Sequence, residues 1–342
     1  MPLQLFRDTG KRIIFSDIDG TLVHLADDLR DLGVISEDGR SFTPFGGAAP
    51  IAIRALPPSS TGLQGYISER TLQLVAALRR AGHVFVLISG ARSSTVLERL
   101  PYLPSAEAYV MENGGRIFFG EKNSPALTAA PMVEDMTWRT MQAAAGPAFQ
   151  IATPASDREG ALWDLFRKME KDGWACDTRS YSTEFRVNLG KSKKKSEADL
   201  RKIIAGLPPE LACSFNLGSA DFYPATSGKD MAARYLLDKF GVPAKLSVSM
   251  GDDDNDLALA ALVHHTYIPG FSADTVRDAV AADPSSFTVA ATPGFAGTEE
   301  VLERMLRQDF GFGAQSMLYS YGTLLSTMLA FAALGYLRRT RR

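Results

Sequence analysis

Ile13-Ile14-Phe15-Ser16-Asp17-Ile18-Asp19-Gly20-Thr21-Leu22-Val23 decides the fold of this 342-residue chain. An apolar run of buried-strand type ends abruptly in two acids, a glycine and a threonine. In an open parallel sheet the ligand crevice lies outside the carboxyl ends of the strands, so Asp17 and Asp19 are both placed at one site at the top of this one. Two unpaired carboxylates so close repel each other, and a bound Mg²⁺, a hard cation that takes oxygen ligands, relieves that repulsion. The plainer alternative is a strand end whose acids only cap a turn or the following helix.

Working outward, Val84-Phe85-Val86-Leu87-Ile88 is a second such run and stops at Ser89-Gly90-Ala91-Arg92. A small hydroxyl followed by glycine lets Ser89 Oγ and nearby N–H groups approach a phosphate, and a helix beginning near Ser93 or Ser94 points its N-terminus at the same anion. Farther along, Ser227-Gly228-Lys229-Asp230 opens a helix on Met231, Ala232, Tyr235, Leu236 and Leu237. A lysine in a first turn opposes the helix dipole, so Lys229 is costly unless its charge faces an anion or a carboxylate cluster. Leu246-Ser247-Val248-Ser249-Met250 then ends in Gly251-Asp252-Asp253-Asp254-Asn255-Asp256, an acidic run that repels itself unless cations or helix N–H groups stabilise it. An EF-hand loop counted from Asp252 needs Gly and Glu where Leu257 and Val263 stand.

In this order the four motifs resemble those of the haloacid dehalogenase superfamily of phosphohydrolases. Asp17 to Thr21 stands as its Asp-x-Asp-Gly-Thr motif, Ser89 as the second, Lys229 as the third, and Gly251, Asp252, Asn255 and Asp256 as the Gly-Asp-x-x-Asn-Asp fourth. The Ser-Gly-x-Arg form is similar to members with large caps, whereas Ser227-Gly228-Lys229 transposes two residues of their Ser-Lys-Gly. The resemblance runs from about Arg12 to Leu306. It implies a phosphomonoester hydrolase in which Asp17 attacks phosphorus to form an aspartyl-phosphate and Asp19 moves the proton. It also implies Mg²⁺ on Asp17, the Asp19 backbone carbonyl and Asp252, completed through Asn255 or Asp256. Ser89, Gly90 and Lys229 hold the substrate phosphate, and Thr21 holds the loop.

The expected fold class is α/β: a Rossmann-like doubly wound parallel sheet at 11–118 and 221–308, an inserted α+β cap at 119–220, and a C-terminal hydrophobic helix within 315–342. Residues 24–66, rich in Gly, Pro and Ser, read as a flap over the substrate or a surface insertion. In the cap, helices are expected over 132–145 and 161–171, and strands over 174–177, 184–189 and 211–216. Phe185-Arg186-Val187-Asn188-Leu189 alternates in polarity, leaving one sheet face open to solvent or to the cleft. Arg186 and Asn188 are therefore candidate donors to substrate hydroxyls, or ordinary exposed strand residues, and Glu184 and Arg179 share that status. The cap's place and size resemble those of the sucrose-, trehalose- and mannosylglycerate-phosphate phosphatases, which implies a sugar phosphate or similar small phosphorylated metabolite. Rival readings are a phosphomutase using the same intermediate and a membrane-tethered scaffold without turnover.

A formal charge of −2 and the lack of a basic stripe argue against nucleic acid as a partner. Lys191-Ser192-Lys193-Lys194-Lys195 reads as a solvated loop, with anion recruitment the lesser alternative. Cys176 and Cys213 are too few and too distant in sequence for a disulfide scaffold or zinc site, which fits a reducing compartment. The N-terminal residues lack the long apolar stretch of a secretory signal, so no cleaved leader is expected. Residues 316–337 carry no charge and end at Arg338, Arg339, Arg341 and Arg342. A span of ~20 apolar residues crosses a bilayer, and arginines suit its cytosolic side. The expectation is a tail anchor with the body in the cytosol, a peripheral helix being the alternative.

Overall fold

The computed structural model of the protein describes residues 10–59, 62–120, 132–216 and 219–310. They belong to two units, Lys11–Val301 and a second that takes in Met1–Gly10 and Leu302–Arg342. The second unit carries the π-helical turn Met305–Asp309, where Arg304 Nε donates to Asp309 Oδ2 at 3.1 Å. The expected tail anchor lies outside the described residues, among which no helix is long and apolar enough to cross a membrane.

The body is built on an eight-stranded sheet in the order Val133–Glu134, Arg116–Phe119, Ala108–Met111, Val84–Ile88, Ile13–Ser16, Ser247–Met250, His265–Ile268, Phe287–Val289. From Ala108–Met111 to Phe287–Val289 neighbouring strands run parallel, and the first two add an antiparallel edge. Ile13–Ser16 and Val84–Ile88 are buried along their whole length, as strands covered on both faces must be. Ser16 is level with Leu87 on one side and Met250 on the other. The loops 17–21, 89–92 and 251–256 therefore leave the sheet side by side. Ser68 caps the helix Glu69–Arg80 by accepting from the Thr71 amide, and Leu72, Val75 and Leu78 are buried on one stripe.

A separate antiparallel sheet, in the order Cys176–Asp177, Phe185–Asn188, Ser219–Pro224, Leu211–Asn216, forms the inserted domain with helices Ala161–Lys171 and Glu197–Ala205. Its core gathers Leu162, Trp163, Phe166, Val187 and Leu200 around the stacked rings of Phe185 and Phe222, 5.1 Å apart. The insertion starts and ends later than expected. Val133–Glu134 still pairs with Arg116–Phe119, and Trp138 packs into the main core while donating Nε1 to the Gly114 carbonyl at 2.7 Å. At the far end Ser219–Pro224 is no returning core strand: it pairs on both sides within the inserted sheet. A fully buried strand reads alike in either sheet, so its pattern could not say which one it joins. The chain returns to the core in helix Lys229–Phe240.

Residues 24–66 hold a third, five-stranded antiparallel sheet in the order His24–Leu25, Gly65–Ser68, Ile51–Ala55, Ser41–Pro44, Gly33–Ile35. Leu29, Phe42, Ile53 and Phe295 form its small core. Its short strands, broken by Gly and Pro, hide the period-2 signal that longer ones display.

Candidate active site

Asp17 follows the last residue of Ile13–Ser16, and its amide donates to the Met250 carbonyl at 3.0 Å. The chain then turns at Gly20, φ +82°, where a Cβ would lie 2.0 Å from Asp252 Oδ2. Only glycine satisfies both the left-handed turn and this approach. Thr21 Oγ1 donates to Asp252 Oδ1 at 2.7 Å, tying the first and fourth motif loops together, and Thr298 Oγ1 of helix Phe295–Arg304 donates to the Thr21 carbonyl at 2.6 Å.

Asp17, Asp252 and Asp256 are buried, and each offers an oxygen within 4.8 Å of the others. Lys229, the first residue of its helix, reaches into this cluster: Nζ donates to Asp17 Oδ1 at 2.8 Å and to Asp256 Oδ1 at 2.6 Å. The awkward first-turn charge thus has its anions. Burial alone would lower the Lys229 pKa, but Asp17 and Asp256 hold it above the usual lysine value. Burial pushes the Asp17 carboxyl well up, and the nearby Asp256 and Asp252 add to this against the opposing ammonium. Burial and Asp256 likewise raise Asp252 to about 7, although Ser272 and Thr21 donate to it. Three buried carboxylates converging around one ammonium are hard oxygen donors of the kind that can hold a divalent cation.

A single cleft is lined by Asp17, Asp19 and Asp252 together with the predicted Ser89, Gly90 and Asn255. Ser89 Oγ accepts from the Ala91 amide at 3.0 Å. Asn255 is linked to the inserted domain through Asn113 of the main-sheet hairpin: Nδ2 donates to Asn113 Oδ1 at 3.2 Å, while Asn113 Nδ2 donates to Glu184 Oε2 (2.9 Å) and Asp221 Oδ2 (3.1 Å). Asn113 does this from an uncommon backbone, since it and Glu112 both have positive φ, 47° and 54°.

Arg186 reaches the same cleft from the inserted sheet, its guanidinium held bidentately by Asp221 at 2.6 and 2.7 Å. Burial opposes its charge, but Asp221 outweighs that and raises the Arg186 pKa. Asn188 does not line this cleft. Its Oδ1 accepts from the Lys191 amide at 3.0 Å, so it caps a 3₁₀ turn, and it borders with Arg179 an adjoining groove that shares Leu63, Arg92 and Arg186 with the cleft. Glu184 is fully buried rather than open to substrate, and burial, then Asp221 and Glu112, push its carboxyl well up. Arg179 is exposed and pairs with Asp177 at 2.7 Å.

Sequence reasoning missed Arg99 and Tyr181 as cleft residues, and Leu25, Ser59 and Leu63, which come from the 24–66 sheet. Arg92 was visible only as the last residue of Ser-Gly-x-Arg; it lines the cleft, donates to Asp177 at 2.5 Å and lies 4.9 Å from the Tyr181 ring centre.

No protein-family model matches the chain. Uncharacterised hydrolases of Staphylococcus aureus are 34% identical over 59 residues, 17% of this chain, and the match spans 22% of their length. Solved structures resemble it over far more of its length. The sucrose-phosphatase of Synechocystis, solved with sucrose and phosphate, is 13% identical with a TM-score of 0.56, over 86% of this chain and 97% of that one. A Thermoplasma acidophilum protein is 12% identical with a TM-score of 0.53, over 86% and 97%. A sugar phosphatase of haloacid dehalogenase subclass IIB is 14% identical with a TM-score of 0.50, over 86% and 99%. The chain has the capped haloacid dehalogenase fold.

Proposed function

We propose that this protein is a Mg²⁺-dependent phosphomonoester hydrolase acting on a small phosphorylated metabolite, with sugar phosphates the foremost substrate class. The observation that carries the reading is Asp17, held by Lys229 among the buried Asp252 and Asp256 in a cleft that also holds Ser89 and Asp19. The fold shared with sucrose-phosphatase supports it.

In this mechanism a carboxylate oxygen of Asp17 attacks phosphorus in line, a P–O bond to aspartate forms and the ester P–O bond breaks. Asp19 gives its proton to the departing oxygen. It then takes a proton from the water that attacks the aspartyl-phosphate, and phosphate leaves with Asp17 restored. Lys229 and Ser89 donate to the phosphoryl oxygens, where negative charge must be stabilised. Asp17 and Asp252, with the Asp19 carbonyl and Asn255 or Asp256, would hold Mg²⁺, which supplies positive charge against those oxygens. Arg186 and Tyr181 face the organic part of the substrate from the inserted domain, and Leu25 and Leu63 from the opposite insertion.

Asp17→Asn removes the nucleophile and is expected to abolish Mg²⁺-dependent phosphate release from an aryl phosphate. Turnover surviving that change would overturn the assignment. A panel of sugar and nucleotide phosphates assayed with the full chain identifies the substrate. The uncharged stretch 316–337 and its arginine-rich flank are proposed to anchor the protein on a membrane with the catalytic body in the cytosol.

A further inference from the structure

Arg99 ends the helix Ser93–Arg99. An arginine in a last helical turn suits the dipole and ordinarily keeps its head in water. Here only 2% of the residue is exposed, and the guanidinium is divided among three acceptors. Nη1 donates to Asp19 Oδ1 at 2.9 Å, Nε to the Pro57 carbonyl at 3.1 Å, and Nη2 to the Leu63 carbonyl at 3.4 Å. A planar fork with fixed donor directions that meets three acceptors fixes them relative to one another. Two of the three belong to the five-stranded sheet of residues 24–66 and its loop, and the third is the acid two residues beyond Asp17.

The backbone keeps that sheet close enough for the contact. Gly65 pairs with Leu25, and its carbonyl accepts from the Leu56 N–H at 2.9 Å. A Cβ on Gly65 would lie 2.6 Å from Val23 Cγ1 and 3.7 Å from Arg99 Nη2, so any larger residue would push the strand off the Asp19 loop. Leu25, Ser59 and Leu63 line the cleft that contains Asp19. The 24–66 sheet is therefore a wall of the site.

We infer that Arg99 is a positioning residue for Asp19, and that through it the 24–66 sheet fixes the carboxylate that protonates the leaving group. The inference rests on the phosphomonoesterase reading. Proton delivery counts for leaving groups that depart badly as anions and little for those that depart well. Loss of Arg99 therefore penalises poor leaving groups selectively, whereas general loosening of the cleft slows all substrates alike.

The test compares kcat/KM of the full-chain protein on phenyl phosphate and 4-nitrophenyl phosphate, esters of similar size whose leaving groups differ in acidity. General acid catalysis contributes about 10²–10⁴-fold, and Arg99→Lys is expected to cost phenyl phosphate about 10-fold more than 4-nitrophenyl phosphate. In an Asp19→Asn background that extra loss should vanish, since the two residues act as one unit. Arg99→Met is read the same way, with a melting curve confirming which variant folds. Equal losses on both esters, or selectivity that persists without Asp19, would overturn the inference while leaving the phosphatase reading intact. A wild-type protein that hydrolyses neither these esters nor any sugar or nucleotide phosphate of the panel would overturn the phosphatase reading, and this inference with it.

Discussion

Replacing His24 tests how the 24–66 sheet is joined to the catalytic loop. His24 is 5% exposed, and its Nε2 lies 2.9 Å from Thr298 Oγ1. The Thr298 hydroxyl hydrogen is committed to the Thr21 carbonyl at 2.6 Å, so Nε2 carries the hydrogen and donates to Thr298. The ring packs edge-on against Phe295 at 5.0 Å. Burial lowers its pKa from 6.5 to about 4, so between those values the unfolded chain takes up a proton that the folded one refuses. Its contribution is complete above about pH 6.5 and is lost as pH falls toward 4. At about 1.36 kcal/mol per unit, the loss between pH 7.5 and 4.5 is about 2.5 kcal/mol. Buried acids with raised pKa values, such as Glu184, titrate with the opposite sign, so the comparison must be made between variants. His24→Gln keeps a donor toward Thr298 and removes the titration. Urea unfolding of both proteins at pH 7.5 and 4.5 should show wild type losing about 2.5 kcal/mol more than the variant. Parallel losses within about 0.5 kcal/mol would refute the assignment of a neutral buried imidazole.

Two further outcomes are expected. Arg186→Met strands the fully buried Asp221 beside Glu184 and should cost about 3–5 kcal/mol in urea unfolding, with Asp221→Asn on top recovering most of it; an unchanged midpoint would show that the pair is solvated. For the tail, the full-length protein should resist carbonate extraction from membranes while a truncation after Gln308 is released. Equal solubility of the two would remove the anchor.

The sequence by itself determined the residues at the strand ends. An apolar run bounded by acids, hydroxyls and glycine is a local pattern, and parallel strands of matched register carry such ends to one edge of a sheet. Hence Asp17, Asp19, Ser89, Gly90, Asp252 and Asn255 were legible as lining one cleft, and Lys229 and Asp256 as meeting beside it. Helix Ala161–Lys171 was legible too, because its apolar face repeats over eleven residues. Only the tertiary structure decided which sheet Ser219–Pro224 joins, since strand pairing is a non-local choice that a uniformly buried segment does not encode. The same holds for the short strands of 24–66, each stabilised by its neighbours rather than by its own pattern. It holds most of all for Arg99, Arg186 and Asn188. A long charged side chain and a short amide two residues apart on one strand, Arg186 and Asn188, look alike as exposed polar positions. Which of them turns into the cleft depends on where a partner waits: the half-buried Asp19 for Arg99, the fully buried Asp221 for Arg186, and for Asn188 no more than the next backbone turn.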